Sequence, residues 1–165
     1  MIKSILYFIY KLLQKGKQKK YNRVLPLSEL IVDRDKKARL LNFGKGTTVY
    51  DSSCVYGEVT VGENTWIGPN TILDGTGVLK IGSYCSISTG VQIYTHSTDK
   101  WVISGGNLPY EYEPVIIEDN CYLGPNVVIE KGIKISKGTI VGANSFVNKS
   151  FPPNSKIAGN PAKLI

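Results

Sequence analysis

A large apolar residue returns at every sixth position along most of this chain. Counting from Phe43, the leading position reads Phe43, Val49, Val55, Val61 and Ile67. It resumes at Ile81 and Ile87, and again at Ile117, Leu123, Ile129, Ile135 and Val141. An α-helix wants apolar residues three and four apart, so this spacing does not fit one. The fifth position of each unit is small or β-branched: Thr47, Ser53, Val59, Thr65, Thr71, Cys85, Val91, Cys121, Val127, Ile133, Thr139 and Ser145. Positions one and five lie four apart, so in extended backbone both point to one face. β-branched residues also favour strands.

The remaining positions explain how the chain turns. The second position is glycine at Gly44, Gly62, Gly68, Gly82, Gly124 and Gly142. The fourth is Gly46, Asn64, Asn70, Gly90, Asn120, Asn126, Gly132, Gly138 and Asn144. Glycine and asparagine tolerate positive φ best, which suits a turn recurring every six residues. One short strand with a turn cannot bury its apolar face, but stacked copies can. Three units per coil give a triangular prism. A β-sandwich would show longer and less regular strand spacing.

Units such as Val61-Gly-Glu-Asn-Thr65, Ile67-Gly-Pro-Asn-Thr71 and Val141-Gly-Ala-Asn-Ser145 resemble the hexapeptide-repeat pattern of left-handed parallel β-helix transferases. The left hand is implied by that resemblance, since the usual crossover rule favours the opposite one. The expected fold is an all-β solenoid of about five coils with an N-terminal helical segment and a long excursion loop. Residues 1–42 fall outside the repeat, residues 43–151 form the β-helix, and residues 152–165 form a tail. Pro152 and Pro153 are expected to end the repeat. The closing Ala158-Gly-Asn-Pro-Ala-Lys-Leu-Ile165 resembles the tail of the galactoside, maltose and surface-polysaccharide acetyltransferase branch.

Two interruptions break the phase. The first, between Thr71 and Ile81, inserts two residues around Asp74-Gly75-Thr76-Gly77. The second, residues 94–114, holds His96, Asp99, Trp101, Tyr110, Glu111 and Tyr112. Long excursions from compact folds are disproportionately functional. His96 is the single histidine of the chain and opens that excursion. An imidazole ordinarily titrates near about 6.5, which suits a base at neutral pH.

The resemblance gives these residues roles. It implies acetyl transfer from acetyl-CoA to a hydroxyl or amine of a sugar, nucleotide sugar or surface-glycan precursor, with His96 as general base. Asp99, Glu111, Glu113 or a backbone carbonyl would orient the imidazole. Gly124-Pro125, Gly142-Ala143, Asn148-Lys149 and Lys163 match the positions that line the CoA arm and its phosphates. Pro125 departs from the small residue common there, and Asn148 stands where threonine is common. Asn70 and Asp74 are candidates to hydrogen-bond the acceptor, and Trp101 and Tyr110 to stack on it. Relatives of this kind form homotrimers with active sites between subunits. A xenobiotic acetyltransferase shares fold and base, whereas a bare β-helix scaffold would share the fold but bind no CoA and need no base. A γ-type carbonic anhydrase needs several histidine ligands, and one histidine excludes it. No metal is expected.

The ends and the charge narrow the setting. The net charge is +7, and Lys3, Lys11, Lys15, Lys17, Lys19 and Lys20 crowd the first twenty residues without an acid. No nucleic-acid module is recognisable. Ile2, Ile5, Leu6, Ile9, Leu12 and Leu13 recur at helical spacing. Such a helix can lie on a membrane surface, cap the first coil or pack on a neighbouring subunit. Its apolar run is too short and too interrupted to span a bilayer, and no signal-peptide cleavage pattern follows it. Cys54, Cys85 and Cys121 fit no metal spacing and read as free thiols in a reducing, cytoplasmic compartment. Cys85 and Cys121 fall on inward fifth positions and are expected in the core.

Overall fold

The computed structural model describes residues 2–165. Every leading residue of the repeat points inward, and the chain winds as a parallel β-helix of the left-handed class. The first face stacks six parallel rungs in register: Thr48–Val49, Trp66–Ile67, Ser86–Ile87, Tyr122–Leu123, Ile140–Val141 and Lys156–Ala158. The second face stacks Val55, Leu73, Ile93, Ile129 and Val147. The third stacks Val61, Ile81, Ile117 and Ile135, with Phe151 bridging to Ile135. There are thus six coils on the first face, one more than the repeat count suggests.

The additional coil comes from beyond Pro152-Pro153. Those prolines do not end the prism, because Ile157 pairs in parallel with Val141. They sit between rungs, at a corner, where proline removes no ladder hydrogen bond. The chain then doubles back, and Leu164 pairs antiparallel with Ile157.

All nine glycines and asparagines of the fourth position adopt positive φ, from 52° at Asn64 to 78° at Gly46. Each makes one corner. The inward fifth positions do a second job. The hydroxyls of Thr47, Ser53 and Thr65 donate to the carbonyls of Gly62, Gly68 and Gly82 in the next coil, at 2.7, 2.8 and 2.9 Å. The buried thiols of Cys85 and Cys121 reach the carbonyls of Glu118 and Ser136 in the same way, at 3.2 and 3.3 Å. Cys54 differs, standing exposed at the start of the strand Cys54–Val61.

The corner between the second and third faces is special. In the first two coils the chain crosses it as continuous strand, Cys54–Val61 paired with Ile72–Ile81, with a register shift between Gly57 and Val59. In the third coil it leaves the prism there for the excursion.

Three helices precede the prism: α1 (Ile2–Tyr21), α2 (Leu27–Ile31) and α3 (Arg34–Leu40). The cap on the first coil is made by α2 and α3. Ala38 of α3 is buried in the core cluster. Lys37 donates to the carbonyls of Tyr50, Asp51 and Ser53 at 2.7 to 2.9 Å. Glu29 of α2 accepts from the amide and hydroxyl of Ser52. The α1 helix touches α2 and buries one residue, Gln14. Among the described residues, no helix is long and apolar enough to cross a membrane.

Leu73 is fully enclosed at the centre of the second face. Leu73→Ala should cost about 3 kcal/mol, because adjoining coils are fixed by their ladders and cannot collapse into the space. Chemical denaturation would measure it, and a loss under about 0.5 kcal/mol would show that the prism relaxes freely.

Candidate active site

Leu73 and Ile93 are register partners on the second face, so the residues that follow them emerge side by side at the special corner. From the second coil come Asp74 and Thr76; from the third come Thr95 and His96. The excursion is a hairpin. His96–Ser97 pairs antiparallel with Glu111–Tyr112, and α4 (Asp99–Ile103) lies between. The loop returns to its own prism through Lys131, which sits 2.5 Å from Glu113 and 3.5 Å from Glu111.

Asp74 is the centre of the site. It is 3% exposed, yet both carboxylate oxygens are satisfied. Oδ1 accepts from the Thr76 amide at 3.0 Å and the Thr76 hydroxyl at 2.7 Å. Oδ2 accepts from the Thr95 amide at 2.9 Å and from His96 Nδ1 at 2.6 Å. Thr95 is itself locked, taking the Gly77 amide at 2.7 Å. A Cβ on Gly77 would collide with the Thr95 carbonyl, so glycine is what lets the two coils approach here.

This geometry assigns the imidazole tautomer. Nδ1 faces a carboxylate that can only accept, so Nδ1 carries the proton. The Thr76 hydroxyl, already donating to Asp74, lies 3.0 Å from the same nitrogen. Nε2 keeps its lone pair, and no hydrogen bond from the described residues reaches it. The side chain is about one-third open to solvent, and the Tyr112 ring stacks beside it at 6.2 Å. With Nδ1 held by a buried carboxylate, this arrangement can accept a proton at Nε2. The anion steadies the imidazolium that results.

Burial alone would raise the Asp74 carboxyl. Hydrogen bonds from the Thr95 amide, the Thr76 amide and hydroxyl, and His96 outweigh it and hold the pKa at about 2.

Several sequence expectations change. Asp74 is the partner of His96 and has no oxygen left for an acceptor. Asp99, Glu111 and Glu113 do not orient the imidazole. Asp99 accepts from Ser97, Glu111 pairs with Lys100, and Glu113 pairs with Lys131. Trp101 and Tyr110 pack edge to face at 5.5 Å within the hairpin, and each stays about two-fifths exposed. Asn70 is a corner residue with positive φ, on the corner between the first and second faces. Gly124-Pro125 and Gly142-Ala143 follow the first-face rungs and occupy that same corner, while Lys163 pairs with Ala158 above them. Asn148-Lys149 follow the second-face rung and share the corner of His96. The positions chosen for CoA therefore form two columns, one face apart. The residues that sequence reasoning missed are Thr76, Thr95, Tyr112 and Lys131. Among the described residues, no group of three or more acidic, histidine or cysteine side chains could hold a metal.

Known proteins carry the same repeat. Residues 114–149 match the family model "Bacterial transferase hexapeptide (six repeats)". Over those residues the chain carries the repeat of that family. A putative colanic acid biosynthesis acetyltransferase of Escherichia coli is 33% identical over 108 residues, covering 66% of this chain and 58% of that relative. The chain thus spans less than two-thirds of the relative's length. A hexapeptide-repeat acetyltransferase from Vibrio cholerae, solved with acetyl-coenzyme A, superposes with a TM-score of 0.61 at 26% identity, covering 95% of this chain and 86% of that one. An N-acyltransferase from Bacillus cereus, solved with dTDP and 3-hydroxybutyryl-CoA, gives 0.68 at 24% identity over 74% of this chain and 70% of that one.

Because the folded Asp74 pKa lies below its ordinary 3.8, its charge stabilises the fold above that value. The contribution is lost as pH falls through about 2. Its size is roughly 2 kcal/mol. Asp74→Asn should lower stability by about that amount at neutral pH, and the gap to wild type should close between about pH 4 and pH 2. Denaturation curves across that range measure it. A gap independent of pH would mean that the carboxylate's charge is not what holds the corner.

Proposed function

We propose that the protein moves the acetyl group of acetyl-CoA to a hydroxyl or amine of a sugar, as in a nucleotide sugar or surface-glycan precursor, with His96 as general base. The Asp74–His96 contact at 2.6 Å carries this reading. It leaves Nε2 without a hydrogen bond from the described residues, free to meet an acceptor. Nε2 removes the acceptor proton as the acceptor heteroatom attacks the thioester carbonyl. The carbon–sulfur bond then breaks, and Nε2 returns the proton to the departing thiolate. Asp74 stays ionised throughout and offsets the charge on the imidazolium.

The two columns suggest how acetyl-CoA is held. One column has Asn70, Gly124-Pro125, Gly142-Ala143 and Lys163; the other has His96 and Asn148-Lys149. On one chain a whole face separates them. In a homotrimer, the first column of one subunit would stand opposite the second column of its neighbour. The outward residues that precede the inward ones on the intervening face are Cys54, Ile72, Gln92, Val128 and Phe146, all uncharged, with Glu130 the exposed charge at the edge of that face. The small residues Gly124, Gly142 and Ala143 leave room for the pantetheine arm, and Lys149 and Lys163 would meet phosphates. Pro125 lacks an N–H, so it can offer only its carbonyl or ring. Asn70, Trp101 and Tyr110 line the acceptor side. The relatives support this assignment: one is named for colanic acid biosynthesis, and the Bacillus neighbour holds dTDP with an acyl-CoA. Free thiols and an acetyl-CoA donor suit a cytoplasmic setting.

Acetyl transfer should be measured on nucleotide-linked amino sugars, simple sugars and antibiotics. His96→Ala should lower kcat/KM by about 100- to 10,000-fold on the true acceptor. Asp74→Asn should fall in the same direction with the acetyl-CoA affinity little changed. Light scattering should report three chains per particle. Full activity in His96→Ala would falsify the general-base assignment, and transfer to antibiotics alone would move the acceptor to the xenobiotic class.

A further inference from the structure

The α1 helix is amphipathic, and it is docked by the wrong side for a cap. Its 20 residues place Ile2, Ile5, Phe8, Ile9, Leu12 and Gly16 on one stripe by helical spacing. The contact with the rest of the chain runs along another side. There Gln14 is buried and exchanges hydrogen bonds with the Leu25 backbone at 3.3 and 3.4 Å. The apolar stripe stays in solvent: Ile2 is 72% exposed, Phe8 62% and Leu12 56%. Capping of the first coil is already done by α2 and α3, through Glu29, Lys37 and Ala38. A contiguous apolar stripe of this size needs an occupant.

The charge selects which one. Lys11 and Lys15 border the stripe on one margin, Lys3 and Lys17 on the other, and Lys19 and Lys20 follow at the end. The helix contains no acid. A second copy of α1 would bring the same lysines against these, so like charges oppose self-pairing along the stripe. An anionic surface with an apolar layer just beneath it satisfies both halves of the pattern. We propose that α1 lies in the plane of an anionic lipid bilayer, its Ile2–Leu12 stripe among the acyl chains and its lysines at the headgroups. This tethers the prism to the bilayer without a spanning segment.

The test uses the full chain and vesicles, and reads binding without turnover, so its outcome is separate from that of the transfer assay. Vesicles of phosphatidylcholine with about 30% phosphatidylglycerol should sediment the wild-type protein at low salt. Pure phosphatidylcholine should hold it about tenfold more weakly, and raising salt from about 0.05 M to about 0.5 M should release it. Ile5→Glu with Ile9→Glu should cut binding to the anionic vesicles at least about tenfold. Lys11→Glu with Lys15→Glu should do the same. Neither pair touches the prism, so both should keep the wild-type unfolding transition, which confirms that folded protein is being compared. Wild-type protein left in the supernatant of anionic vesicles at low salt overturns the proposal. So does equal binding by the Ile5→Glu, Ile9→Glu variant. A drop in particle mass in that variant, with no vesicle binding by wild type, would assign the stripe to a second copy instead.

Discussion

Each coil of the prism gives its backbone hydrogen bonds to the coils on either side, in fixed register. Tyr122 and Leu123 must meet Ser86 and Ile87 below and Ile140 and Val141 above. A face built this way has no place for an extra residue, since a slip of one would turn every inward side chain outward. Insertions are therefore driven to corners. Here both go to the same corner, in adjacent coils: two residues in the second coil and the excursion in the third. The site exists because those two departures from the repeat lie next to one another.

What they bring together is a buried carboxylate with every lone pair engaged. An isolated anion at the depth of Asp74 would be costly. Two backbone amides, one hydroxyl and one imidazole N–H make it tolerable, and all four of those donors come from the two insertions themselves. The backbone around Thr76 and Thr95 is thus shaped to hold the anion, and the anion in turn holds the imidazole. The Lys131 pairs with Glu111 and Glu113 act on the far strand of the hairpin, keeping Tyr112 beside the ring. Exposed ion pairs of this kind contribute little stability individually. Their effect here is to fix where a loop returns.

The fold was legible because each position of the repeat has one dominant physical reason. Large residues fill the interior, small hydroxyl or thiol residues satisfy the next coil, and Gly or Asn turns the corner. Tyr84 shows the limit, holding a corner with φ of 56° where neither glycine nor asparagine stands. The sixth coil is not legible from residue type, because the corner position of Pro152 and Pro153 is a property of the winding. His96 was legible as the sole histidine at the mouth of the excursion. Its partner was not, because Asp74 is 22 residues away and neighbours it only through the coil period. Laying the chain out in coils would have exposed the pair, since Leu73 and Ile93 both keep phase and the next residues must stack. The division of the glycine and lysine positions between two corners follows from the same layout.

The two ends of the prism have different closures. At one end Lys37 occupies three carbonyls of the first coil, and at the other the strand Lys163–Leu164 runs antiparallel across the last rung. An open β-solenoid end is an unpaired sheet edge, a template on which another chain can continue the winding. The helix and ammonium over one end and the reversed strand on the last rung of the first face each cover part of such an edge. The flanks of the prism offer no such edge, since each strand there is already paired with the coils on either side.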